Sequence, residues 1–174
     1  MLNLSSDAKP SPDLRLYEKL MMLFPGYRGY KEKELVRETD RVVRDELYRR
    51  LKKCVSGLKN YYSSTASSTG STHLTERLEK LIYRIDSLAE RTRHAPYGYK
   101  PLFHAIKVDE EVLNKMLEHD LKLGEIAEAL EKAASNLPSS ITEAESFLAG
   151  IERLAKEYEA MLEERDSLLS GYRR

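Results

Sequence analysis

Apolar residues recur along this chain at intervals of three and four, with charged residues filling the gaps. After Ser11-Pro12-Asp13, an N-cap with proline in the first turn, Leu16, Leu20, Leu23 and Phe24 follow at helical spacing until Pro25-Gly26 ends the run. From Lys31 to about Tyr62, Leu35, Val36, Val42, Val43, Leu47, Leu51, Val55 and Leu58 trace one stripe through a strongly charged background. A third helix is predicted over residues 73–94, on Leu74, Leu78, Leu81, Ile82, Ile85, Leu88 and Ala89, ending ahead of Pro96. Asp109 caps a fourth, over 109–136, which carries Val112, Met116, Leu123, Ile126 and Leu130 and is weakened locally by Gly124. The fifth, over 140–171, opens on the capping-box pattern Ser140-x-x-Glu143 and keeps Phe147, Ile151, Leu154, Tyr158, Met161 and Leu168 in a nearly strict heptad.

No useful stretch alternates apolar with polar residues, so the fold class is all-α. The pattern predicts one domain over 1–174, an antiparallel bundle of four long helices with the short first helix across one end or flank. An elongated body with a projecting last helix fits the same pattern. Residues 1–10 read as a flexible N-terminus, and SSTASSTGST, residues 63–72, as a flexible connection.

Charge narrows the function classes. Lys and Arg number 29, as do Asp and Glu, so no net field draws the molecule to nucleic acid or membrane. The basic stretch Arg41, Arg44, Arg49, Arg50, Lys52 and Lys53 is matched by Glu38, Asp40, Asp45 and Glu46, the pattern of a salt-bridged helix face rather than a nucleic-acid binder. No stretch approaches the ~18 apolar residues of a membrane span, and the N-terminus lacks signal-peptide character. A single cysteine, Cys54, excludes an internal disulfide framework and suits a reducing compartment, so the expected setting is cytoplasmic.

The distinctive feature is a repeated Gly-Tyr-Lys: PGYRGYK at 25–31, APYGYKP at 95–101, and a further Gly-Tyr in the C-terminal GYRR. In an up-down-up-down bundle all three segments meet at one pole. Tyr27, Arg28, Tyr30, Lys31, Tyr97, Tyr99, Lys100 and Tyr172 are therefore the candidate partner-binding residues. Tyrosine offers flat contact area at low entropic cost, and Arg and Lys offer anion contacts. The same tyrosines would equally serve as lids on the open end of the core.

Polar residues also stand where core is expected. Asp120 and His119 interrupt the stripe between Leu117 and Leu123, and a buried Asp needs a partner. Arg44, Arg84 and Arg91 are the candidates, within a structural network that includes Asp40 and Asp86. Asp86, Glu90 and His94 share a helix face that His104 approaches, a weak metal-site pattern most often found as a solvated face. The Glu-x-x-His of di-iron bundles does not occur, nor do Gly-x-Ser-x-Gly, a P-loop or HExxH. No cofactor or catalytic residue is therefore assigned.

The stretches FPGYRGYKEKELVRETDRVVRDEL and RIDSLAERTRHAPYGYKPLFHAIKVDEEVL resemble small helical bacterial and archaeal proteins that carry no assigned activity. The resemblance covers residues 20 to 121 and implies that the two Gly-Tyr-Lys loops belong together. The expectation is a non-enzymatic interaction or scaffold protein, docking a protein partner through the aromatic-basic pole or the C-terminal heptad, with a homodimer through 144–172 as one form. The alternatives are an adaptor for an anionic surface and a bundle that binds a metal or small ligand.

Overall fold

The computed structural model describes residues 12–29, 33–66, 72–94 and 110–170. Five helices account for most of them: α1 (Pro12–Leu23), α2 (Lys33–Ala66), α3 (Thr72–Arg93), α4 (Glu110–Ser135) and α5 (Ile141–Ser170). Among the described residues there is no strand.

The local chemistry sets the ends. The Phe24 amide still donates to Leu20, at 2.8 Å, and the Tyr27 amide closes a turn on the Phe24 carbonyl at 3.0 Å. Gly26 between them takes φ +92°, a left-handed conformation that glycine adopts without a steric penalty. α2 runs to Ala66, four residues into the segment expected to be a flexible connection. Ser63 donates its hydroxyl to the Lys59 carbonyl, and Ser64 and Thr65 donate theirs to that of Tyr61, which gives these poor helix formers local partners within the helix. The remaining 67–71 lie outside the described residues.

Four helices form a ring. α2 packs on α3 and α4, α5 packs on α4 and α3, and α1 lies on α4. Chain direction alternates as expected: Arg44 reaches the Thr92 carbonyl at one end of the α2–α3 pair, and Tyr62 reaches Glu79 towards the other. The neighbour order differs from simple succession, because α3 and α4 occupy a diagonal. The parallel pairs α2–α4 and α3–α5 are ring neighbours instead. Residues 95–109 provide enough chain for α4 to take that place.

Leu47, Leu51, Leu58, Leu78, Ile85, Leu123, Leu130 and Ile151 fill the middle, each at most 1% exposed. Each contributes on the order of 1.5–3 kcal/mol from burial. Cys54 lies in the same core, and burial, with the Glu131 charge adding, pushes its thiol up to about 12. Two helix crossings depend on missing side chains. A Cβ on Gly57 would lie 2.7 Å from the Ala134 carbonyl oxygen, and one on Gly124 would lie 2.8 Å from the Phe24 ring. Gly124 thus seats α1 on α4, which accounts for a residue that propensity alone counts as a weakness.

Candidate functional site

Gly26 turns the chain so that Tyr27 enters the core, where it is 3% exposed. Its ring lies edge-on to Tyr17, with centroids 5.9 Å apart, and tilted on Phe24 at 6.2 Å. Its hydroxyl lies beside Asp120, and desolvation, with that carboxylate adding, holds the phenol well above its ordinary pKa. Gly29, at φ +80°, lies against the Tyr17 ring, and its carbonyl accepts from the Thr39 hydroxyl at 2.8 Å. In this first loop Gly26, Tyr27 and Gly29 build the fold. Of the candidate partner-binding residues, Arg28 is exposed, 3.8 Å from Glu38, and Tyr27 is a core residue. Tyr30, Lys31, Tyr97, Tyr99, Lys100 and Tyr172 lie outside the described residues.

Beneath Tyr27 a buried ionic network ties the pole together. Arg44 on α2 donates to Asp40 one turn earlier, at 3.1 and 3.2 Å, to the Thr92 carbonyl at 3.0 Å and to Asp166 at 3.0 Å. Arg165 on α5 donates to Asp120 at 2.7 Å and to Asp40 at 2.8 Å. Tyr158, fully buried, meets the Thr92 hydroxyl at 2.9 Å. Thr92 commits its own proton to the Leu88 carbonyl, so Tyr158 is the donor in that pair. The fork of each guanidinium spans helices, linking α2 to α3 and α5 on one side and α5 to α2 and α4 on the other.

Asp40, Arg44 and Asp120 therefore share one network, while Asp86 stands apart on the α2–α3 surface, 2.6 Å from Lys52. Arg84 and Arg91, offered as partners for Asp120, both pair with Glu159. The partner is Arg165, which reading by residue type missed. Its signal was present: the heptad Ile151, Leu154, Tyr158, Met161 continues to position 165 before Leu168, and an arginine stands there.

The outer seams of the ring carry different chemistry. At α2–α3, Lys52 bridges to Asp86 and, at 3.4 Å, to Glu90. At α2–α4, Lys53 and Arg50 meet Glu131 at 2.9 and 3.4 Å. At α3–α5, Arg77 binds Glu152 through two nitrogens at 2.6 and 2.7 Å, and Arg84 and Arg91 hold Glu159 at 2.8 Å. The hydrogen bond from Arg77 holds the Glu152 carboxyl below its ordinary pKa, and that from Arg84 does the same for Glu159. The basic stretch of α2 is thus matched: Arg41 faces Asp45, and Arg49 and Arg50 face Glu46.

The α2–α4 seam also opens a groove of about 420 Å³, with a largely polar lining of Asn60, Tyr61, Ser64 and Ser135 beside Gly57, Ala134 and Leu137. The α4–α5 seam differs in its apolar lining. On its outer side the ion pair Lys122–Glu157 is long, at 3.7 Å, and His119 lies 3.9 Å from Glu164. Below them, towards the turn joining the two helices, lies a groove of about 510 Å³. Ala133 and Pro138 form one wall, and Phe147, Gly150 and Leu154 the other, with Glu143 and Arg153 exposed beside them. Phe147 is 36% exposed. An apolar floor flanked by one anion and one cation suits a helix face or peptide.

His94 is exposed, 3.8 Å from Glu90, and His104 lies outside the described residues. Among the described residues no three His, Cys, Asp or Glu side chains cluster as metal ligands, and no helix is long and apolar enough to cross a membrane. Comparison of the chain with family models, curated proteins and solved structures finds no match in any of the three, so the resemblance carried by the Gly-Tyr-Lys loops acquires no family from them.

Proposed function

We propose that this chain is a non-enzymatic helical interaction protein that docks a protein partner through the α4–α5 face. The observation that carries this reading is the apolar groove beside an exposed Phe147 on the α4–α5 seam, where the outer Lys122–Glu157 pair is 3.7 Å long, against ion pairs of 3.4 Å or less on each of the other three seams. Large apolar side chains rimmed by polar residues characterise interaction sites on soluble proteins. The non-enzymatic part draws support from the pole, whose buried charged groups are bonded to one another and to the Thr92 carbonyl, tying four helices together. A cytoplasmic setting belongs to the same proposal, consistent with one buried, unreactive thiol.

The test begins with capture from native lysate by wild type and by Phe147→Asp, followed by identification of the partner and reconstitution from purified components. The expected result is an identified partner whose affinity for Phe147→Asp falls at least tenfold while helicity is unchanged. Equal affinity for the two chains sinks this reading. Loss of binding on Tyr30→Ala/Tyr99→Ala/Lys100→Ala instead moves the site to the pole.

A further inference from the structure

The groove on α5 is self-complementary, and we infer that its occupant is a second copy of this chain, docked antiparallel across α5. The inference rests on the α4–α5 face being the docking surface and specifies what docks there.

Three observations converge. The first is Gly150. Of the three glycines inside described helices, Gly57 and Gly124 are each required by a close neighbour within the chain, but a Cβ on Gly150 would meet nothing within 4 Å. A mid-helix glycine weakens the helix, and here no intramolecular contact explains it. It leaves a notch on the outer face of α5, open to an approaching side chain. The second is Phe147, one turn earlier on the same groove, an exposed ring of the size that fills such a notch. The third is the charge pattern. Glu143 and Arg153 are exposed at the two ends of the groove and form no ion pair with a described residue. They are ten residues apart in sequence, about 15 Å along a helix.

A two-fold axis perpendicular to α5 beside residue 148 satisfies all three at once. It sets Glu143 of each copy opposite Arg153 of the other, and it brings each Phe147 against the partner's Gly150. Contacts of this kind, in which residue i meets j and j meets i, define an isologous interface. Parallel helices in register would instead put Glu143 beside Glu143 and Arg153 beside Arg153. A chain of zero formal net charge adds no overall repulsion between copies. One helix crossing buries less than the ~800 Å² per partner of a standard interface, so a concentration-dependent monomer–dimer equilibrium is expected.

Sedimentation velocity of the full-length chain over a range of concentrations tests this. Wild type is expected to shift towards twice its 20.1 kDa as concentration rises. Glu143→Arg and Arg153→Glu, both at exposed positions, are each expected to weaken self-association by about tenfold or more. An equimolar mixture of the two variants is expected to regain dimer, because one chain then presents two cations and the other two anions. A merely misfolded variant gives no such rescue. Wild type that stays monomeric throughout, a dimer indifferent to both reversals, or a mixture that fails to associate overturns the proposal. A monomeric wild type removes the second copy but not the docking face, which the affinity of Phe147→Asp for a foreign partner decides separately.

Discussion

The two ends of α5 carry the same heptad and meet opposite conditions. Towards its C-terminus, Tyr158 and Arg165 point into the bundle and every described polar contact is made with α2, α3 or α4. Towards its N-terminus, Ile151 is buried, but Phe147 reaches solvent and Gly150 leaves open space outside the ring. One end is closed by charge inside the core. The other is bridged to α3 by Arg77 and Glu152 but left open towards α4, where Gly150 carries no side chain and Glu143 and Arg153 form no ion pair with a described residue. A buried polar network specifies which helices meet and in what register, because each unmade bond carries a desolvation penalty, whereas an apolar groove constrains the chain little and leaves surface for something else to cover.

The comparison breaks most sharply at Arg165. Arg165→Ala removes the cation shared by Asp40 and Asp120, both buried, and is expected to destabilise the fold by about 3–5 kcal/mol, read from the urea midpoint. A matched pair of glycine substitutions then sets a closed crossing against the open notch. Gly57→Ala drives a methyl into the Ala134 carbonyl and is expected to cost about 1–3 kcal/mol. Gly150→Ala meets nothing within the chain and is expected to raise stability by about 0.5–1 kcal/mol while weakening self-association, so the two readouts move in opposite directions. Equal effects of the two substitutions on stability would erase the distinction between the crossing and the notch.

The smallest effect is acid sensitivity at the closed seam. Glu152 and Glu159 titrate below their ordinary 4.5 in the folded chain, so the unfolded chain binds more protons in that range. Their contribution is complete above pH 4.5 and is lost as pH falls below that value through the depressed ones. Denaturant midpoints of wild type and Arg77→Ala are expected to converge as pH drops from 6 towards 3. Both carboxylates are near the surface, so the convergence should be modest and should shrink at high salt.

Much of this molecule was legible residue by residue. Apolar periodicity placed all five helices, and Ser140 with Glu143 marked the start of α5. The end of α2 was harder to read, because serine and threonine are poor helix formers until their hydroxyls bond back to the preceding turn. At the pole, Asp120 stood out as a charge on an apolar stripe, with Arg44 as a candidate partner and Asp40 as a member of the wider network. Arg165 did not, because an arginine near a helix end resembles any solvated cation. Tyr27 was legible as an aromatic in a glycine-rich loop, but its direction depends on the backbone turn at Gly26 and on the room left by Phe24 and Tyr17.

The sequence by itself determined the helices and the excess of charge on their outer faces, because each follows from the spacing of a few neighbouring residues, and the short connections favoured their alternating direction. Only the tertiary structure decided that α4 sits diagonal to α3, that Asp120 answers to Arg165, and that the α4–α5 seam carries an apolar groove. Those outcomes depend on which helix faces which. That choice is made by contacts between residues 45 to 125 positions apart, through the guanidinium forks of Arg44 and Arg165 and the close approach at Gly57. Local periodicity holds no information about such pairs.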